Sequence, residues 1–224
     1  MSGELLIGVV DSGHAPHQSA LVRAARGFYL IGDELQEDAA QTDRLGHGSA
    51  VLEALALEPG VVRGCVAQVF SERWQTSPLQ VAAAVHWLIE QGVVLINLSL
   101  GLRHDRPLLR EACERALAAG VLLCASSPAQ GEAVYPASYP GVLRITGDAR
   151  CAAGQWSWLG SAQADFGAPV SAGGLAGSSL ACATLSGQIA RYLHQHPGSD
   201  RAALLDHLRC GAAFLGPERR GRQP

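Results

Sequence analysis

Unbroken apolar runs alternate with segments of helical periodicity along this chain. Residues 5–10 form a continuous hydrophobic stretch that stops at Asp11-Ser12-Gly13, which reads as a buried strand followed by a turn. Residues 61–70, 93–100, 121–125 and 142–146 read as further buried strands, and 27–31 predicts a short one. Between them the period changes. Over 47–57, Val51, Leu52, Leu55 and Ala56 share one helical face. Ser77-Pro78 opens a second helix, with proline in its first turn; Val81, Val85, Leu88 and Ile89 form its inner face and Gly92 marks its end. Helices are also predicted over 107–119, closed by Gly120, over 178–194 after a glycine-rich turn, and over 200–210 with Ser199 or Asp200 as N-cap.

Strands hydrophobic on both sides, alternating with helices, predict an α/β fold of three layers: a mostly parallel β-sheet flanked by helices. The 224 residues and 48% hydrophobic content suit one compact domain over 1–224. In such sheets functional side chains gather where strands end and helices begin. The irregular stretches 126–141 and 147–177 are long enough to be binding loops.

Charge narrows the partners. A net charge of -3 and 17% charged residues give nucleic acid no electrostatic footing. The one basic cluster, Arg219-Arg220-Gly221-Arg222, reads as a solvated tail. Met1-Ser2-Gly3-Glu4 leads directly into the first strand without the pattern of an export signal, and no apolar run reaches membrane-spanning length. The expectation is a cytoplasmic protein with no membrane partner. Cys65, Cys113, Cys124, Cys151, Cys182 and Cys210 form no Cys-x-x-Cys pair and are expected to be buried thiols, not a disulfide frame or zinc site.

Three polar residues stand at strand–helix junctions: Asp11 after the first strand, His47 within Gly46-His47-Gly48-Ser49, and Ser179 within Gly177-Ser178-Ser179-Leu180-Ala181. Each alone has a plain structural explanation as a turn residue, a surface imidazole or an N-cap. Together they meet a chemical need. A serine hydroxyl is a poor nucleophile without an adjacent base. Imidazole titrates near neutral pH and can take up and return the proton. A buried carboxylate fixes the imidazole tautomer and stabilises its cation. A helix N-terminus beneath the serine offers N–H groups to a developing oxyanion.

On these motifs, together with Asn97-Leu98-Ser99-Leu100-Gly101, the chain resembles the subtilisin-like serine peptidases, whose triad runs in the same Asp, His, Ser order. Tyr135-Pro136-Ala137-Ser138-Tyr139-Pro140 and Asp165-Phe166-Gly167-Ala168-Pro169 are similar to family stretches as well. The resemblance runs from about Leu5 to about His194. It implies Asp11 as orienting carboxylate, His47 as general base and Ser179 as nucleophile. It also implies that the Ser99-Leu100-Gly101 backbone pairs with an extended peptide, and that this segment and Ser126-Ser127 wall the substrate pocket.

The departures are informative. Pro128-Ala129 occupies the place of the family's Gly-Asn, so the usual asparagine donor to the oxyanion is missing. Gln130, one residue away, is the first candidate to replace it, with Ser126 and Ser127 as the others. The proline usually found after the nucleophile is absent in Cys182-Ala183-Thr184, and Ser49 stands for the usual threonine. No acidic loop suggests calcium. His14 and His17 lack a third ligand, so no metal and no cofactor is expected.

Small size, the lost asparagine and the absence of an export signal make the chain similar to the subtilisin-like peptidases that mature a partner protein. Those that remove the leader of the quinohemoprotein amine dehydrogenase small subunit are the nearest in character. The expected partner is therefore a peptide or protein substrate with an N-terminal leader. The alternative is a catalytically inactive subtilisin fold that binds a peptide or partner. A serine esterase of another fold is disfavoured, because Ala181 stands where its nucleophile motif requires glycine and the motif histidine, His47, precedes the serine it would have to follow.

Overall fold

The computed structural model describes residues 4–172 and 175–218. The basic tail Arg219-Arg220-Gly221-Arg222 lies outside the described residues. Five buried or half-buried strands form the middle of the molecule: β1 (Leu5–Asp11), β4 (Val62–Gln68), β5 (Leu95–Leu98), β6 (Leu122–Ser126) and β7 (Leu143–Gly147). To one side lie β2 (Val22–Ile31) and β3 (Glu34–Ala39). To the other lie β8 (Ser157–Trp158), β9 (Phe166–Ala168) and β12 (Phe214–Leu215). The sheet order is β12-β8-β9-β7-β6-β5-β1-β4-β2-β3. Only the β2–β3 and β8–β9 pairings are antiparallel. A separate two-stranded ribbon joins β10 (Ser171–Ala172) to β11 (Leu175–Ala176).

Period-two alternation along β1 feeds two cores. Ile7 and Val9 face one cluster and Val10 the other. Helices α2 (Pro78–Glu90) and α3 (Pro107–Ala118) cover the Val10 face through Val81, Val85, Leu88 and Leu109. Helices α1 (His47–Leu55), α4 (Ser178–Gln195) and α5 (Arg201–Cys210) cover the other through Val51, Leu55, Leu180 and Leu204. The three-layer α/β expectation holds, and structures of the same fold are described below. Ser77 caps α2 by accepting the Gln80 N–H at 3.2 Å, while the Gln80 side chain accepts the Ser77 N–H at 3.0 Å. Asp200, not Ser199, caps α5, accepting from the Ala203 N–H at 2.8 Å.

Some expectations are corrected. The predicted strand over 27–31 begins at Val22 and pairs with β3, whose exposed Glu34, Glu37 and Asp38 hid it from a hydrophobic reading. The run over 93–100 yields only Leu95–Leu98, because the chain leaves the sheet at Ser99. The 147–177 stretch contains β8 to β11. All six cysteines are free; five are buried as expected, but Cys210 is exposed at the end of α5. Burial pushes the Cys65 thiol up to about 11 and those of Cys113 and Cys124 up to about 12, so these remain protonated near neutral pH.

Candidate active site

The central strand β1 ends at Asp11, a fully buried carboxylate between the ends of β4 and β5. One of its oxygens accepts the Ser12 N–H at 2.7 Å. Both face His47 Nδ1, at 2.8 and 2.9 Å. His47 is the first residue of α1, and Gly46 before it has φ +75°, a left-handed turn that glycine adopts without strain. The next glycine serves close approach: a Cβ on Gly48 would lie 2.2 Å from the Gly13 carbonyl oxygen. The Gly48 N–H donates to Ser12 Oγ at 2.9 Å, closing the strand end onto the helix start. The Gly-His-Gly motif is therefore what lets α1 dock on the turn after β1.

The His47 side chain is mostly covered, with 21% exposure. Burial alone would lower its pKa. The hydrogen bond and charge of Asp11, with the charge of Asp43 added, outweigh that effect and raise it above 6.5.

Ser179 is the second residue of α4 and lies at the N-terminal end of its dipole. Its Oγ donates to the Ser99 carbonyl at 3.1 Å, and Ser99 Oγ donates back to the Ser179 carbonyl at 3.0 Å. Asn97 Nδ2 donates to Ser99 Oγ at 2.8 Å, and Ser186 Oγ to Asn97 Oδ1 at 3.1 Å. This buried chain of bonds ties the exit of β5 to the start of α4. Among the described residues no hydrogen bond joins Ser179 Oγ to His47. Catalytic hydrogen bonds of substrate-free sites commonly form only when substrate arrives.

His47, Ser99, Leu100, Gly101 and Ser179 line one cleft of about 390 Å³. The other predicted residues lie elsewhere. Ser126 and Ser127 are buried, and each hydroxyl is committed to a carbonyl, that of Leu100 at 3.4 Å and of Gln163 at 2.7 Å. Gln130 is exposed and lines a neighbouring cavity with Thr146 and Asp148. Its loop is bound towards Gln163, whose side-chain amide donates to the Gly131 carbonyl at 2.6 Å. Gln130 is thus not brought to the cleft in this structure. No group of three His, Cys, Asp or Glu side chains gathers as metal ligands among the described residues.

Two residues of the site escaped the sequence reading. Trp74 is 62% exposed, yet its ring meets His47 edge-on, with centroids 5.4 Å apart, and it lines the cleft. Its polar neighbours Ser71-Glu72-Arg73 gave no apolar pattern to find it by. Asp43 lies four residues before His47 and binds the turn that leads into α1. An aspartate shortly before a helix start was the available signal.

No protein-family model matches the chain. Among curated proteins it is 24% identical to subtilisin DY of Bacillus licheniformis over 155 residues, covering 62% of this chain and 54% of that protein. It is 30% identical to the thermostable alkaline protease of Halalkalibacterium halodurans over 150 residues, covering 62% of this chain and 40% of that one. The chain thus spans about half the length of these relatives or less. Among solved structures it superposes on the S41 psychrophilic protease with a TM-score of 0.73 at 20% identity, covering 93% of this chain and 82% of the other. A lanthipeptide protease gives 0.71 at 18%, covering 96% and 82%. The prenylagaramide maturation protease PagA gives 0.60 at 19%, covering 85% and 76%. The fold is that of the subtilisin-like proteases.

Proposed function

We propose that the protein is a serine endopeptidase of the subtilisin type, with Asp11, His47 and Ser179 as its triad. The observation that carries this reading is the buried Asp11 carboxylate held on His47 Nδ1, with the other side of that imidazole facing a cleft shared with Ser179. Bound to Asp11, Nδ1 carries the proton, which leaves Nε2 as the base. On substrate binding Ser179 Oγ exchanges the Ser99 carbonyl for His47 and attacks the scissile carbonyl as His47 takes its proton. The α4 N-terminus, including the Ser179 N–H, stabilises the oxyanion. His47 then protonates the leaving amine, and a water activated by the same imidazole releases the acyl group. Asp11 stabilises the imidazolium throughout. The backbone of Ser99-Leu100-Gly101 aligns the substrate as an added strand.

The substrate is read as a partner protein carrying an N-terminal leader that is cut once, within the cytoplasm. Structural likeness to a lanthipeptide protease and to a prenylagaramide maturation protease supports this reading over general digestion. Recognition at one pocket distinguishes about 1–3 kcal/mol per methylene, too little to spare a proteome, so contacts must extend along several residues. The quinohemoprotein amine dehydrogenase small subunit is the specific substrate to test. The relatives are named as proteases, and no observation of the site favours an inactive scaffold. Incubation with leader-bearing small subunit and, separately, with casein, read by mass spectrometry, tests the proposal. A single cut in the leader and little casein cleavage is expected; rapid cutting of casein at many sites would replace the maturation reading with a general protease.

A further inference from the structure

The Asp43 carboxylate collects five hydrogen bonds from residues that flank both partners of the Asp11–His47 contact. One oxygen accepts from Ser12 Oγ at 2.9 Å, from the Leu45 N–H at 3.0 Å and from the Gly46 N–H at 2.8 Å. The other accepts from Ser49 N–H at 2.8 Å and Ser49 Oγ at 2.7 Å. Ser12 immediately follows Asp11 and binds it through its own N–H; Gly46 and Ser49 bracket His47. We propose that Asp43 is a positioning residue of the triad, the joint that sets the strand end bearing Asp11 against the helix start bearing His47. This rests on the peptidase reading above.

The arrangement is more than a helix cap. A cap satisfies the N–H groups of one helix, whereas Asp43 also draws in a hydroxyl from β1's turn, and that hydroxyl accepts the Gly48 N–H in return. Five donors on two oxygens leave no place for an amide: Asn at this position would turn an NH₂ group towards donors on one side. Asp43 also adds negative charge near the imidazole. The charged groups facing His47 are Asp11 from β1 and Asp43 from the loop before α1, while Ser99 and Ser179 across the cleft and Trp74 beside it are neutral. His14, the other titratable group beside Asp43, is shifted towards the neutral form, first by burial, with the Asp43 charge opposing. Nearby Arg44 is engaged with Glu72 at 2.6 Å on the surface.

The test uses the full chain, a fluorophosphonate as probe of Ser179 reactivity, and nitrogen-15 NMR titration of the His47 imidazole. Asp43→Asn is expected to slow labelling by about 10²-fold, the effect of roughly a 1 Å misplacement, and to move the His47 titration to lower pH. A purely structural role would lower the melting temperature and leave the titration in place. If Asp43→Asn does not fold, the Ser12→Ala/Ser49→Ala double variant decides: it keeps the carboxylate but loses a donor at each oxygen, and labelling should slow by about tenfold. Wild-type labelling and an unmoved His47 titration in a folded Asp43→Asn, or wild-type labelling in the double variant, would overturn the proposal. A wild-type chain that does not label refutes the peptidase reading instead, and the imidazole titration then decides the role of Asp43 by itself.

Discussion

The helices that carry the proposed base and nucleophile come into their closest backbone approach at a glycine. Gly187 is buried in α4, and a Cβ built on it would lie 2.0 Å from the carbonyl oxygen of Leu55, the last residue of α1. Ordinary contact begins at 3.4 Å, so Gly187→Ala requires α1 and α4 to separate by about 1.4 Å. The obstructing atom is backbone, so rotating a side chain does not relieve it. Leu55 lies eight residues from His47, and Gly187 eight from Ser179. At 1.5 Å per residue each is about 12 Å along its helix from the proposed catalytic residue, too short and stiff a span to absorb the shift. Overpacking of this kind costs about 1–3 kcal/mol, offset by up to about 1 kcal/mol of better helix propensity. The net loss of up to about 2 kcal/mol corresponds to a melting temperature lower by up to about 8 °C for a chain of this size. Displacing His47 from Ser179 by about 1 Å should lower kcat by about 10²-fold. Thermal melts and kcat on a leader-derived peptide, corrected for active sites by fluorophosphonate titration, measure both effects. A Gly187→Ala variant that melts at or above wild type with unchanged kcat would refute the claim that this contact sets the distance between base and nucleophile.

The raised His47 pKa fixes the sign of the pH dependence: in the proposed mechanism neutral imidazole is the working base, so kcat/KM should rise with pH to a plateau with its acid-limb midpoint above 6.5; a midpoint below 6.5 would contradict it. The same shift contributes stability that is fully present below 6.5 and lost as pH rises through the folded value, so His47→Gln should lose more stability at pH 5 than at pH 9 in paired melts. Because Gln130 lines the neighbouring cavity, Gln130→Ala should leave kcat within about twofold, whereas a fall of about 10²–10³ would establish it as the oxyanion donor. With no triad of ligands gathered among the described residues, melts with and without a chelator should coincide; a drop with chelator would reveal a structural metal.

The central strands were legible because burial on both sides of a parallel sheet writes continuous apolar runs, as over Leu5–Asp11 and Leu122–Ser126, and α1 to α5 were legible from their period and end signals. The edge was not. β3 is almost wholly polar and exposed, and β8, β9 and β12 are two or three residues long, too short to show any period. Asp11, His47 and Ser179 stood out as candidates because each sits in a local motif demanded by its junction, as Gly48 shows by its contact with Gly13. Trp74 meets His47 through a contact across the chain that leaves no spacing to read, and although Asp43 sits where an aspartate before a helix start can be noticed, its bond to Ser12 cannot. Gln130 shows the converse: one position from the expected asparagine in sequence, its side chain is carried to another cavity by a loop that follows Gln163.

The most direct measurement of the account is mass-spectrometric mapping of the serine modified by a fluorophosphonate, repeated with His47→Ala and Asp11→Ala. A single adduct on Ser179, lost or slowed by orders of magnitude in both variants, is the predicted result. Modification of another serine, or equal labelling of Ser179 without His47, would contradict the triad.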